Sequence, residues 1–157
     1  MKVNGKSTQT IWLSEDKQNV QIIDQTKLPF EFKVVTLNCF EDAFEAIKNM
    51  LVRGAPLIGV TGAYGVFLAA KENKELKFIQ DACDYLNSAR PTAVNLSWAL
   101  NRMLQKAFDS KSNNIIENLC NEANKILEED INFCENIGKY GCEIIKDLYN
   151  KKKRPIN

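Results

Sequence analysis

The chain of 157 residues contains no histidine, and this absence excludes several common classes of enzyme. Without imidazole the chain cannot form a Ser-His-Asp or Cys-His catalytic site, an H-E-x-x-H zinc site or a histidine general base. Scattered cysteines without histidine are also a poor ligand set for zinc, so no metal site is expected. Any acid–base chemistry would therefore depend on Asp, Glu, Lys, Tyr or Cys.

The sequence also lacks the patterns of a disulfide framework and of a signal peptide. The cysteines are odd in number, widely spaced and without a C-x-x-C pair, which favours reduced thiols in a cytoplasmic protein. The first ten residues are polar and contain no apolar run. Three cysteines have core-like spacing and none has the marks of a nucleophile; the five are Cys39, Cys83, Cys120, Cys134 and Cys142, with Cys83, Cys120 and Cys134 assigned to the core.

The sequence has no large excess of positive or negative residues either, because the net charge is only +1. No overall field attracts nucleic acid or an anionic membrane, so neither is expected as a partner. The basic run Lys151–Arg154 is interpreted as a solvated helix end followed by a linker over residues 151–157.

The first 37 residues have the pattern of strands. Ile11–Leu13 and Val20–Ile23 flank a polar turn at residues 14–19, which predicts a hairpin. Residues 30–37 alternate roughly with period two and predict a third strand starting at Phe30, although Val35 and Leu37 are out of step. We therefore expect a small three-stranded antiparallel sheet over residues 10–37.

From residue 38 the apolar period becomes helical, which predicts a helical bundle over residues 38–150 and an α+β fold in a single domain, residues 1–150. Asn38 and Thr92 are predicted to cap two of the helices. The helix from Leu57 to about residue 70 is nearly uncharged but too short to span a bilayer, so burial is expected. The last helical pattern is long enough that a break or kink near Gly138 or Gly141 is expected, and these glycines are expected to permit tight helix contacts.

Two segments combine an arginine with the start of a helix. They are Arg53-Gly54-Ala55-Pro56 and Arg90-Pro91-Thr92. The amides of a first helical turn are unpaired and attract anions, and a guanidinium group suits a phosphate. From this local pattern alone, loop arginines paired with surface carboxylates are the favoured interpretation.

Two longer runs carry a specific resemblance. Residues 50–59 (M-L-V-R-G-A-P-L-I-G), followed by A-Y-G-V at 63–66, and residues 89–103 (A-R-P-T-A-V-N-L-S-W-A-L-N-R-M) are typical of the methylthioribose-1-phosphate isomerase family. Weaker matches are I-D-Q-T-K-L-P at 23–29 and N-I-G-K-Y-G at 136–141. Together these runs resemble the amino-terminal domain of that family over nearly the whole chain.

The resemblance implies an aldose–ketose isomerase that acts on methylthioribose 1-phosphate in methionine salvage, without metal or organic cofactor. It implies that Arg53, Gly54, Ala55 and Arg90 bind the sugar-phosphate substrate. The family's catalytic cysteine and aspartate belong to a Rossmann-like carboxy-terminal domain beyond residue 157. No catalytic residue is therefore assigned here, the chain alone is expected not to turn over substrate, and the missing domain is its expected partner. A homodimer is left open.

The same resemblance leaves a second function class open. The family includes the regulatory subunits of eukaryotic initiation factor 2B, so the chain could instead be a regulatory or interaction module. A helical scaffold whose motifs serve packing alone is a third alternative. The complete R-P-T-A-V-N-L run favours the isomerase branch.

Overall fold

The computed structural model of the protein describes residues 2–3, 5–110 and 114–155. It confirms the predicted α+β class, with short strands followed by helices. The strands are β1 (Lys2–Val3), β2 (Lys6–Ser7), β3 (Ile11–Leu13), β4 (Val20–Ile23) and β5 (Val34–Leu37). The helices are α1 (Phe40–Lys48), α2 (Ala55–Glu72), α3 (Leu76–Ser88), α4 (Val94–Phe108) and α5 (Ile115–Lys152).

The sheet has the predicted antiparallel order β3-β4-β5. Ile22 of β4 pairs with Ile11 of β3 on one side and with Val35 of β5 on the other. The polar turn between β3 and β4 is closed by the backbone of Ser14, whose N–H donates to the carbonyl of Asn19 at 2.8 Å. A separate two-stranded ribbon, β1-β2, was not predicted from the sequence.

The third strand begins later than predicted. Phe30 lies in a turn with 97% of its surface exposed, and its N–H donates to the carbonyl of Lys27. Strand β5 starts only at Val34, and its inward positions are Val35 and Leu37, the two residues that were out of step with the alternation. The predicted start was wrong because Phe30 lies in a turn before the strand pairing begins. An alternation counted from Phe30 therefore assigned the wrong residues of β5 to the inward side.

Both predicted helix caps are displaced by one residue. Helix α1 is preceded by Cys39 rather than Asn38, and α4 by Ala93 rather than Thr92. Neither capping residue uses its side chain. At α1 the bond runs the other way, since the Asn38 N–H donates to the Asp42 carboxylate at 2.8 Å. The Asp42 carboxylate thus holds the residue that precedes the cap position, and no side chain takes the place of the expected cap.

Helix α2 forms the centre of the first unit, as its apolar sequence predicts. Every residue from Ile58 to Ala70 is buried. Gly59 and Gly62 face α4, and Gly65 faces α1 and α3. No helix among the described residues is long and apolar enough to cross a membrane.

Contacts group the chain into two units, Met1–Ile126 and Leu127–Asn157. In the first unit the start of α5 buries Ile115, Leu119, Cys120, Ala123 and Ile126. The division into a 1–150 domain and a 151–157 linker stays a prediction. Two of the seven predicted linker residues, 151 and 152, are helical, and 156 and 157 lie outside the described residues, as do residues 111–113.

The second unit departs from the sequence-based expectation. Helix α5 is continuous to Lys152, so no break occurs near Gly138 or Gly141, and the alternative of a kink there stays a prediction. Cys134, predicted to be in the core, is exposed. A Cβ atom placed on Gly138 or Gly141 would meet nothing within 4 Å among the described residues, so the expected tight contacts are not made within the chain.

We predict that the α2–α4 contact is sensitive to a single methyl group at Gly59. A Cβ placed there would lie 2.8 Å from the Asn95 carbonyl oxygen, and a backbone atom cannot rotate away. Gly59→Ala should therefore lower the free energy of unfolding by about 1–2 kcal/mol in urea titrations, even after the gain in helix propensity. Gly62→Ala is the matched comparison, because its methyl would meet the flexible end of Leu96. An equal or larger loss at Gly62 would contradict this account.

Candidate functional site

The loop that leads into α2 has an unusual backbone. Gly54, directly before the helix, has φ of +94°, which side chains rarely tolerate, and Met50 has φ of +61°. The Leu51 N–H donates to the carbonyl of Ala46, which fixes the loop to the end of α1. Arg53 and Gly54 are exposed on this loop.

The first backbone amides of helix α2 are available to an anion. No side chain caps it, and its first turn contains no acidic residue. Ala55 and Pro56 are the first helical residues, and the first backbone bond is donated by the Ile58 N–H to the Gly54 carbonyl at 3.0 Å. The amides before Ile58 that still carry a hydrogen precede the helical ladder and carry partial positive charge.

Helix α4 starts in the same way. Ala93 precedes it with no side-chain cap and no acid in the first turn. Arg90 lies half-buried in the turn before it, and the carbonyl of Arg90 accepts the Ala93 N–H at 2.9 Å. The Arg90 Nη1 donates to the Sδ of Met50 at 2.7 Å. The second predicted arginine therefore reaches the loop that carries the first.

The two helix starts lie close together because α2 packs against α4 near the beginning of both helices. Gly59, the fifth residue of α2, lies against the carbonyl of Asn95, the second residue of α4. The predicted residues Arg53 and Gly54 thus share a loop with Met50, which Arg90 contacts, and Ala55 begins α2 directly after that loop. The structure brings the two predicted segments together, and a shared anion between them stays a prediction.

Sequence reasoning missed Met50. It was not among the predicted site residues, and it lies half-buried in the loop with a positive φ. Asn and Gly are the residues usually associated with that conformation, so no local signal pointed to methionine.

A turn after β4 holds the loop from the other side. The Gln25 N–H donates to the Leu51 carbonyl at 2.9 Å. The Asp24 side chain shapes this turn, since its Oδ1 accepts the Thr26 hydroxyl at 2.6 Å and the Thr26 N–H at 3.0 Å. These bonds, the hydroxyl bond first, lower the pKa of the buried Asp24 carboxyl.

The comparisons with known proteins decide the family. The model of the initiation factor 2 subunit family matches residues 51–150, which include both arginine segments. The chain belongs to this family.

Two members with the name methylthioribose-1-phosphate isomerase are similar along the whole chain. The protein of Rhodospirillum centenum is 44% identical over 158 residues, covering 100% of this chain and 42% of its own length. That of Escherichia coli O45:K1 is 45% identical over 155 residues, covering 97% of this chain and 41% of its own length. The chain therefore spans about two fifths of the relatives it matches.

Solved structures of the initiation factor 2 subunit family agree with the fold. The 5-methylthioribose 1-phosphate isomerase of Pyrococcus horikoshii matches with a TM-score of 0.82 at 37% identity, over 88% of this chain and 41% of that one. The delta subunit of translation initiation factor eIF-2B from A. fulgidus matches with a TM-score of 0.74 at 36% identity, over 80% of this chain and 38% of that one.

The thiols of this family member offer no activated nucleophile in the first unit. Burial raises the pKa of Cys83 to about 12 and also raises the pKa values of Cys39 and Cys120. A reactive cysteine needs the opposite shift. No group of three or more His, Cys, Asp or Glu side chains within the described ranges could hold a metal ion.

Two cavities lined by described residues of the first unit lie away from the arginines. One of about 430 Å³ is lined by Lys17, Phe67, Lys71 and Cys120 among others, and one of about 370 Å³ by Phe40, Phe78 and Tyr85. The two arginine segments suit a phosphate better than these cavities do, because a phosphate at a helix start is bound by exposed amides and cations and needs no enclosed volume.

We predict that the Asp24 turn makes stability depend on acid pH. A carboxyl whose pKa is lowered by folding contributes stability above its unfolded pKa of about 3.9, and that contribution is lost as the pH falls through the lowered value. Denaturant titrations of the wild type should therefore show a decline below about pH 4 that is shallower in Asp24→Asn. Thr26→Val should have the same effect, and an unchanged slope in both variants would contradict the assignment.

Proposed function

We propose that this chain is the sugar-phosphate-binding part of a methylthioribose-1-phosphate isomerase. The observation that carries the proposal is the pair of uncapped helix starts lying side by side, each with its own arginine, with Arg90 in contact with the loop of Arg53. The names of the isomerase relatives, which match along the whole chain, supply the substrate, methylthioribose 1-phosphate.

The proposed site holds the phosphate by charge and by fixed donors. The guanidinium groups of Arg53 and Arg90 supply bidentate donors, and the backbone at Gly54 and Ala55 supplies amides at the positive end of α2. Gly54 has no side chain to shield this backbone, and its φ excludes most other residues. No metal or organic cofactor is part of the proposal.

Holding the phosphate does not by itself isomerise the sugar. An aldose–ketose conversion moves hydrogen between adjacent carbons and needs a positioned acid and base. We assign these groups to the catalytic cysteine and aspartate of the carboxy-terminal domain that the family resemblance implies. That domain is the proposed partner, and the proposed setting is methionine salvage in the cytoplasm.

We predict that Arg53→Ala weakens binding of sugar phosphates roughly tenfold to a hundredfold in titration calorimetry. One charge-assisted hydrogen bond contributes about 1.5–3 kcal/mol, and each 1.4 kcal/mol is a factor of ten in affinity. Arg53→Lys should give an intermediate loss, because it keeps the charge and loses the bidentate geometry. Methylthioribose 1-phosphate and inorganic phosphate are the ligands to compare.

Arg154→Ala is the matched control for this measurement, since Arg154 is exposed near the end of the chain. It should leave the dissociation constant unchanged. If Arg53→Ala also leaves it unchanged, the phosphate site is elsewhere. If sugar phosphates do not bind the wild type or raise its melting temperature, the interaction-module alternative is favoured, which the match to the initiation factor subunit also supports.

We predict that the purified 157-residue chain shows no isomerase activity above the uncatalysed rate, although it binds the substrate. The physical reason is that its proposed site supplies positioning without a proton donor and acceptor. A coupled assay for the ketose product measures this directly. Turnover that is lost in Arg53→Ala would show that the acid and base lie within this chain.

A further inference from the structure

Helices α1 and α3 meet through four aromatic side chains. The ring centroid of Phe40, the first residue of α1, lies 5.8 Å from that of Phe78 and 5.8 Å from that of Tyr85, both on α3. The interplanar angles of 87° and 84° make the Phe40 ring perpendicular to the other two. Phe44 stacks on Tyr85 with centroids 4.2 Å apart. We name these four residues the aromatic cluster.

Three rings of the aromatic cluster border a cavity of about 370 Å³ between α1 and α3, a volume that suits a small ligand. The lining consists of these rings, two carboxylates and one small residue: Phe40, Glu41, Phe78, Asp81, Ala82 and Tyr85. Tyr85 is 40% exposed, and Phe40 and Phe78 are half-buried, so the rings still present surface to a ligand. The face of such a ring attracts a cation through its quadrupole.

The charges around this cavity are mostly negative. Helix α1 contains three carboxylates and one lysine, and α3 contains two carboxylates and one lysine. Asp81 pairs with Lys77 at 2.6 Å, but both side chains are largely exposed, so solvent screens the pair. Glu41 adds a second carboxylate from the α1 side. The cavity therefore favours a cation, whereas the two arginine segments favour an anion.

One cation of the chain lies on a ring of the aromatic cluster. The Nζ atom of Lys48 is 5.2 Å from the centroid of the Phe44 ring. Phe44 stacks in turn on Tyr85, which lines the cavity. Lys48 is exposed and could extend into water, yet its ammonium group rests on the ring. The cavity offers the same kind of contact on its three other rings.

We propose that this cavity binds a small organic cation that carries a quaternary ammonium group. Such a group is attracted to aromatic faces without any hydrogen bond, and the carboxylate of Glu41 balances its charge. A primary ammonium brings three N–H donors that need acceptors, whereas Asp81, one of the two lining carboxylates, is paired with Lys77. The proposal does not depend on the phosphate site.

Choline is the probe that tests the proposed ligand class. Its neutral counterpart is 3,3-dimethyl-1-butanol, in which a carbon atom replaces the charged nitrogen. Titration of choline with the full 157-residue chain, followed by the line width of the N-methyl proton signal, should give saturable binding with Kd below about 10 mM. The neutral alcohol should bind roughly tenfold more weakly, and ethanolamine, a primary ammonium, should also bind more weakly than choline.

Three outcomes of these titrations would overturn the proposal. Equal binding of the neutral alcohol would show an apolar cavity that does not recognise charge. Tighter binding of ethanolamine would exclude the quaternary class. The absence of saturable choline binding would show that the rings serve only to pack α1 against α3.

Replacing one ring locates the bound choline. Phe78→Leu keeps an apolar side chain and removes the aromatic face, so choline binding should weaken about twofold to thirtyfold while the neutral alcohol is unaffected. Phe108→Leu is the matched control, because Phe108 is exposed at the end of α4 and does not line the cavity, and it should change nothing. Cooperative urea unfolding of each variant shows that the fold is retained.

Charge variants test the contribution of the carboxylates. Glu41→Gln should weaken choline binding about twofold to fivefold, whereas Glu128→Gln, an exposed position on α5, should leave it unchanged. Lys77→Ala removes the ammonium group that competes for Asp81 and should strengthen binding by a similar factor. Choline that binds equally well to Phe78→Leu, Glu41→Gln and the wild type lies elsewhere. That result, or weaker binding in Lys77→Ala, would contradict the proposal.

Discussion

The contact of α2 with α4 near the beginning of both helices is the constraint on which the candidate site depends. Gly59 has no side chain, so the carbonyl of Asn95 can lie directly against the backbone of α2. This closeness places two helix starts together, each with partial positive charge and neither with a capping side chain. In most helices a cap or a first-turn acid would satisfy those amides. Here no capping side chain or first-turn acid occupies those amides, and an arginine lies in the segment before each helix.

Much of the fold could be predicted because its periodicities are strong. Helix α2 begins and ends within two residues of the predicted bounds, and the β3-β4 hairpin follows from two apolar runs around a polar turn. The errors occur where tertiary contacts override a local pattern. Phe30 alternates with its neighbours as in a strand but lies in a turn, and Asn38 has the composition of a cap while Asp42 provides the bond.

The candidate site was predictable in its residues and not in its arrangement. The sequence identifies Arg53 and Arg90 by their positions before helices, but the packing that unites them depends on contacts between residues far apart in the chain. The partner of Arg90 could not have been foreseen, because Met50 has a conformation that its residue type rarely adopts. The apolar spacing of α5 was likewise visible, whereas the exposure of its second half was not, since periodicity shows which side of a helix is apolar and not what covers it.

The contact between Arg90 and Met50 affects how an anion would bind at the proposed phosphate site. A thioether is uncharged and a weak acceptor, so it can hold the guanidinium in a fixed direction without neutralising it. A carboxylate in the same place would form a strong ion pair that an incoming phosphate would first have to break. At the proposed site, a phosphate oxygen could therefore take the place of the Met50 sulfur beside Arg90 without an ion pair being broken. The Arg90 guanidinium thus keeps both its direction and its full charge.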